Sequence, residues 1–331
     1  MRRALLAVAL TAAVAVALVA APSRAYERSR TNDGSLCLWW RQPTGIPVVA
    51  HLADGPTGGG CSGPSQVSDL VRASLATWGA ATRVGESQSC TSLRFDYQGL
   101  TPVKAAGFDQ RTGAQNENLI VFRHGLCDGN PACSGSDLEA CADQIGCWPH
   151  DTRASVASSR TIAITTTSFR PSTGEIVDAD MELHDHSATR VGYFFTCPAQ
   201  GPYCGDDVEP TGSCISTDAG SILTHEAGHM LGLDHPSDQP SATMYAFYSR
   251  GSTALRVLDA DDVDGVCTVY PAGGAPLTTC SAGSVPPPVR ETPRPDGGGG
   301  CSTAMGGVLS LAGVAFALGR RRSRQDTTTP A

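Results

Sequence analysis

The chain contains no CxxC pair, although it carries 13 cysteines. A thiolate zinc finger is therefore excluded as the reason for that count. It also lacks an excess of positive charge. Its 24 Lys and Arg face 32 Asp and Glu, a formal net charge of −8, so nucleic acid is not an expected partner. No internal repeat is evident. What is present is an even set of twelve cysteines: Cys37, Cys61, Cys90, Cys127, Cys133, Cys141, Cys147, Cys197, Cys204, Cys214, Cys267 and Cys280. They fit up to six disulfides formed in an oxidising compartment, with the connectivity open. Cys301 is left over.

Both ends are apolar. Arg2 and Arg3 precede a run from Ala4 to Ala21, and Ser23-Arg24-Ala25 places small residues before a cleavage point. Residues 1–25 read as a secretory signal peptide, with an uncleaved anchor as the alternative. Residues 26–281 are mixed and globular. Residues 282–300, with Pro286-Pro287-Pro288 and Gly297 to Gly300, read as an extended linker. Residues 301–331 hold an apolar run from Ala304 to Leu318 and then Arg320-Arg321-Arg322. The run is short for a membrane span, and the cluster predicts its C-terminal end inside.

Periodicity predicts a helix over Ser65–Thr82, capped by Ser65 or Ser68, with Val67, Leu70, Val71, Leu75 and Trp78 on one face. Strands are expected within Leu36–Leu52 and at Leu93–Tyr97, Asn118–Phe122 and Thr161–Ser168, with a turn at Arg170–Gly174. Glu175–Leu183 alternates acidic and apolar residues and reads as a half-exposed strand. Its Asp178, Asp180 and Glu182 are expected to form a solvated acidic face, with a calcium site as the alternative. Cys127–Cys147 and Cys197–Cys214 read as disulfide-tied loops. Further helices are expected near Asp218 and Asp261.

The most specific feature is His225-Glu226-Ala227-Gly228-His229-Met230-Leu231-Gly232-Leu233-Asp234-His235, an HExxHxxGxxH pattern with every fixed position filled. His225 and His229 stand one helical turn apart on one face. Gly232 permits a sharp turn that returns His235 as a third nitrogen. Three imidazoles with an open fourth position suit one catalytic zinc ion. Glu226 is then placed to take the proton of an activated water.

With these residues the chain resembles the metzincin metallopeptidases, and within them the matrixins. The resemblance covers roughly Leu36–Tyr270 and is strong from Ser221 to Tyr270. Ala242-Thr243-Met244-Tyr245 resembles the matrixin Met-turn, which implies Met244 as an apolar floor beneath the zinc ligands. Ala246-Phe247-Tyr248 resembles the wall of the S1′ pocket, implying Tyr248 there. Asp261-Asp262-Val263-Asp264-Gly265 resembles the start of the C-terminal helix, an Asp of which supports the Met-turn. The implied fold is an α+β zincin-like catalytic domain: a twisted mixed sheet, an active-site helix, a C-terminal helix and disulfide-rich loops.

The pattern departs from the family at three points. Pro236 follows the third His where Ser is usual. No PRCGxPD cysteine switch occurs upstream; Tyr203-Cys204-Gly205-Asp206 is expected to serve a disulfide instead. The second, structural zinc set is not clear: His184-Asp185-His186 reads as a solvated loop or its remnant, and His124 and His150 as structural or surface residues. The tail resembles bacterial MYXO-CTERM sorting signals, which implies cleavage near Cys301 and outer-surface display after transient membrane contact. The expected function is that of a monomeric, secreted or surface-displayed zinc endopeptidase acting on proteins or peptides. The alternative is a surface adhesion or scaffold protein with an idle zinc domain, against which the intact Glu226 weighs.

Overall fold

The computed structural model describes residues 26–307, apart from 53–54, 57–59, 112–113, 115, 134–136, 151–160, 187–191, 207 and 281–299. The expected signal peptide, nearly all of the linker and the tail beyond residue 307 lie outside the described residues. The element order is β1 (Glu27–Arg28), β2 (Ile46–His51), α1 (Pro64–Gly79), β3 (Phe95–Leu100), β4 (Leu119–His124), α2 (Leu138–Ile145), β5 (Thr161–Phe169) and β6 (Ile176–Asp185). Then follow β7 (Phe195–Thr196), β8 (Thr217–Asp218), α3 (Ala219–Met230), β9 (Leu233–Asp234), α4 (Ala260–Val269) and β10 (Gly300–Gly307).

Five strands form a mixed α+β sheet in the order β5-β6-β4-β2-β3. β5 alone among these five runs antiparallel to its neighbour, because the tight Arg170–Gly174 turn returns the chain directly into β6. Beyond β5 the sheet gains β10, paired in parallel. Two short ladders, β1 with β9 and β7 with β8, fasten the loops around α3.

Helices α1 and α3 cover one face of the sheet. Val67, Val71, Leu75 and Trp78 are buried along α1 as the periodicity predicts. Its start differs from expectation: Gly63 is the N-cap, Pro64 opens the helix, and neither serine caps it. Pro suits that position because its missing N–H is one that the helix leaves unbonded. Ser68 bonds the Tyr97 hydroxyl at 2.9 Å instead. Trp78 Nε1 donates to Thr224 O at 2.8 Å, locking α1 against α3. The C-terminal carbonyls of α3, which have no partner within the helix, are met by Trp40 Nε1 at Met230 O (2.7 Å) and Tyr270 Oη at Leu231 O (2.7 Å).

All twelve cysteines before the linker pair, as Cys37–Cys280, Cys61–Cys197, Cys90–Cys267, Cys127–Cys147, Cys133–Cys141 and Cys204–Cys214. Cys127–Cys147 is not only loop. It holds α2, capped by Asp137 at one end and by Gly146 with φ 76° at the other.

The acidic strand corrects the sequence reading. Every residue of β6 except Val177 is buried, Asp178, Asp180 and Glu182 included. The segments before β4 and after it fold over that face and supply donors. Asp180 accepts from Leu119 N (3.0 Å) and Gly107 N, and Glu182 from Arg123 Nε (2.6 Å) and His150 Nε2 (2.9 Å). His184 and Asp185 are also fully buried rather than in a solvated loop. His184 stacks on Trp148 at 4.6 Å, and Asp185 lies 3.0 Å from His124 Nδ1. Among the described residues no helix is long and apolar enough to cross a membrane.

Candidate metal centre

Helix α3 is buried at every one of its 12 residues. Asp218 caps its start, accepting from Ser221 N at 2.8 Å, and is held by Arg256 Nε at 2.8 Å. The helix ends at Leu231, and Gly232 turns the chain with φ +83°. A side chain at Gly232 would place Cβ 2.7 Å from Leu38 O, so the turn is tight as well as left-handed. β9 then pairs with β1, and His235 follows it back toward the helix.

This path brings three imidazole nitrogens together. The Nε2 atoms of His225, His229 and His235 lie 3.1, 3.2 and 3.0 Å apart. Three nitrogens at about 2.05 Å from a tetrahedral zinc are separated by about 3.3 Å, so the set fits the ion closely. The opposite nitrogens are committed elsewhere: His225 Nδ1 to Thr243 O (2.6 Å) and His229 Nδ1 to Leu233 O (2.9 Å). Carbonyl acceptors require the proton on Nδ1, which leaves the Nε2 lone pairs facing one another. Burial lowers all three His pKa values, His225 to about 3 and His235 to about 4. Neutral imidazoles are the form that binds metal.

Among the described residues, two other groups could hold an ion by proximity alone. Cys127, Cys133 and Cys147 are all consumed in disulfides. Glu139, His150 and Glu182 surround a carboxylate whose two oxygens already take Arg123 and His150. Burial alone would raise the Glu182 pKa, but the His150 hydrogen bond and the Arg123 charge bring it below the usual value. A guanidinium in that place opposes a second cation. Among the described residues, the His225 set is the one in which three imidazole nitrogens face one another while the opposite ring nitrogens of His225 and His229 meet backbone carbonyls.

Glu226 is fully buried beside the triad, and its Oε2 accepts from Thr165 Oγ1 at 2.7 Å. Strand β5 therefore borders the site directly. Beneath it, Met244 is buried, and its N–H donates to Asp262 Oδ1 at 3.0 Å while Thr243 N donates to Oδ2 at 2.7 Å. Asp262, among the acidic residues expected to open the last helix, is thus the one that holds the turn. It also accepts from Asp259 N in the capping box of α4. Tyr248 is buried, with its hydroxyl accepting from Asp218 N (2.9 Å) and donating to Ser252 O (2.7 Å). Cys301 lies apart from this constellation in chain, within β10.

Sequence reasoning gave no role to Gly228 or Thr165. A Cβ on Gly228 would sit 2.2 Å from Met244 Sδ and 2.6 Å from Trp78 Cζ2. The helix can approach its floor only because that position has no side chain. A small residue between the two helical His was the one available signal.

Residues 164–271 match the family model of the matrixins. The chain is 36% identical to neutrophil collagenase of Homo sapiens over 74 residues, 22% of this chain and 14% of that protein. It is 38% identical to matrix metalloproteinase-16 of Rattus norvegicus over 72 residues, 22% of this chain and 10% of that protein. It is 45% identical to metalloendoproteinase 1-MMP of Arabidopsis thaliana over 65 residues, 20% of this chain and 17% of that protein. The matches thus span 10 to 17% of the length of these relatives. The matched segment contains the three His, Glu226, Thr165, Met244 and Asp262, and it is matrixin-like, within the mixed α+β architecture of a metzincin catalytic domain.

Proposed function

We propose that the protein is a zinc-dependent endopeptidase that cleaves peptide bonds in proteins or peptides. The observation that carries this reading is the convergence of three Nε2 atoms 3.0–3.2 Å apart with a buried carboxylate on the residue after the first His. His225, His229 and His235 would hold one zinc ion. When bound, zinc supplies Lewis acidity toward a carbonyl and toward water. Glu226 takes the proton of the attacking water at a carboxylate oxygen and delivers it to the leaving amine. Thr165 fixes the carboxylate by its hydrogen bond to Oε2. Met244 supports the His rings from below, and Asp262 orients His225 through the Thr243 backbone. Tyr248, braced at its hydroxyl, serves as the wall of the pocket for the residue after the scissile bond. A substrate adds as a strand antiparallel to β5, the strand that touches Glu226.

The enzyme acts as a monomer. It is exported by residues 1–25, contacts the membrane transiently through residues 301–331, and is displayed at the surface or released after cleavage near Cys301. Buried Asp178 and Asp180 form the place where calcium would bind if the protein takes it. The test is stoichiometric: the purified chain should hold one zinc per molecule and degrade casein or gelatin until a chelator removes the metal. Folded protein without bound zinc, or unchanged proteolysis in chelator, refutes the assignment.

A further inference from the structure

Helix α3 carries a polar group that the chemistry of the metal centre does not use. Ser221, in its first turn, is fully buried, and its hydroxyl has no hydrogen-bond partner among the described residues. A serine or threonine inside a helix commonly bonds the carbonyl four residues back. Thr224 does so, donating to Gly220 O at 2.8 Å. Ser221 does not. Its N–H goes to Asp218 Oδ2 at 2.8 Å, and Thr217 O, four residues before it, takes the Thr196 hydroxyl at 3.3 Å. A buried hydroxyl without a partner is destabilising, and a ligand group that pairs with it removes that penalty.

The surroundings of Ser221 say which ligand group that is. Ser221 and His225 stand four residues apart, on one face of α3 and about 5.4 Å along it. The segment after the Met-turn passes beside that face. It meets the helix at His225 through Thr243 O (2.6 Å) and at Asp218 through the Tyr248 hydroxyl (2.9 Å). Ser221 lies between those two levels, one turn beyond the first His and on the way to the Tyr248 wall. Other polar groups along this stretch are committed: Tyr248 Oη to Ser252 O (2.7 Å), Thr243 Oγ1 to Val257 O (3.0 Å), and both Asp218 oxygens to Arg256. Asp218 and Arg256 neutralise each other, so the place offers no countercharge to an ionised side chain.

We infer that Ser221 is a specificity-determining residue for the side chain that follows the scissile bond, and that the preferred substrates are peptides with glutamine there; this rests on the peptidase reading above. A glutamine amide both donates and accepts, which matches a hydroxyl that can do both. Its length suits a group set one helical turn past His225, whereas serine, threonine and asparagine are shorter. Lysine and glutamate would bury a charge without a partner. Leucine fills similar space but leaves the hydroxyl unpaired, and a site with a buried polar group discriminates against the analogue that cannot pair with it.

The test compares the zinc-loaded secreted protein with its Ser221→Ala variant on two quenched peptides that differ only in Gln or Leu after the scissile bond, with the cut bond identified by mass. The ratio of kcat/KM for the Gln peptide to that for the Leu peptide should fall about tenfold in the variant, the value of one net hydrogen bond. The thermal midpoint of the substrate-free variant should rise by a few degrees, because an unpaired buried hydroxyl is gone. An equal ratio in the two proteins overturns the specificity role. A lower midpoint in the variant overturns the premise, since the hydroxyl is then bonded within the fold. If the native protein cuts neither peptide, the peptidase reading fails, and the midpoint shift on adding each peptide judges the pocket by itself. Greater stabilisation by the Gln peptide that Ser221→Ala abolishes supports the inference, and equal stabilisation by both peptides overturns it.

Discussion

Gly228→Ala sets two well-defined effects against each other. Alanine is the better helix former by about 1 kcal/mol, so an open helical site would gain stability. Position 228 is not open. The new methyl would meet Met244 Sδ at 2.2 Å and Trp78 Cζ2 and Cη2 at 2.6 and 3.0 Å. Ordinary carbon contacts begin near 3.5 Å, so both neighbours must retreat by about an ångström. Met244 can change rotamer, since thioethers adapt readily. Trp78 cannot easily move, because its Nε1 is bonded to Thr224 O on the same helix and its ring is fully buried. Overpacking of this kind costs about 1–3 kcal/mol or more, which outweighs the helical gain. We expect a net loss of about 1–2 kcal/mol, a lower thermal midpoint by several degrees, and weaker zinc binding because the floor beneath the His rings shifts. Denaturant unfolding with and without zinc measures both. The decisive control is Gly228→Ala made in a Trp78→Phe background, where the clashing ring atoms are gone and the same change should cost less or turn stabilising. A midpoint that rises in the otherwise native chain, with unchanged zinc affinity, refutes the packing argument.

Three other outcomes follow from the site and its scaffold. Glu226→Gln should retain zinc and lose about 10^2–10^4-fold in kcat, whereas His229→Ala should lose the metal; elemental analysis beside a casein assay separates them, and a Gln variant of near-native rate would require another base. Reduction should unfold the domain, since six disulfides at about 2–4 kcal/mol each exceed a usual margin of about 5–15 kcal/mol; finding free thiols at the paired positions in the secreted form contradicts this. Burial raises the Asp178 pKa from 3.8 to about 6. The folded state thus binds that proton more tightly than the unfolded chain, and the associated stability is full below pH ~4 and lost as pH rises through ~6. Without added divalent ions, Asp178→Asn should therefore stabilise the protein by about 1–3 kcal/mol at pH 7.5 and have little effect near pH 4. A less stable variant at pH 7.5 would mean that a bound cation, not a proton, neutralises the pair.

The candidate metal site was legible because its geometry is local. One helical turn separates His225 from His229, and the glycine that returns His235 falls within the same eleven residues. The supports were less so, because they come from distant segments. Thr165 reaches Glu226 from β5, Trp78 packs from α1, and Asp262 holds the Thr243 N–H while the Thr243 carbonyl meets His225 Nδ1. The sequence does name the acidic cluster at Asp261–Asp264, yet only the capping geometry of α4 decides that Asp262 faces the turn. That the twelve cysteines before the linker pair off was readable from their even number. The connectivity was not, since Cys37 and Cys280 stand 243 residues apart.

The sharpest miss concerns β6, and its cause is instructive for reading strands. Alternation of acidic and apolar residues ordinarily marks one wet face, because an uncompensated buried carboxylate is too costly. Here the compensation lies elsewhere in the chain: backbone amides of Gly107 and Leu119 for Asp180, and Arg123 with His150 for Glu182. Period 2 correctly separated the two faces, but it carried no information about what covers each. The opposite face, with Ala179, Met181 and Leu183, packs toward α3 and the site as the same alternation predicts. The covering segments give the acidic face a fixed, dry position. They leave β5, at the other side of β6, as the strand that reaches Glu226 through Thr165.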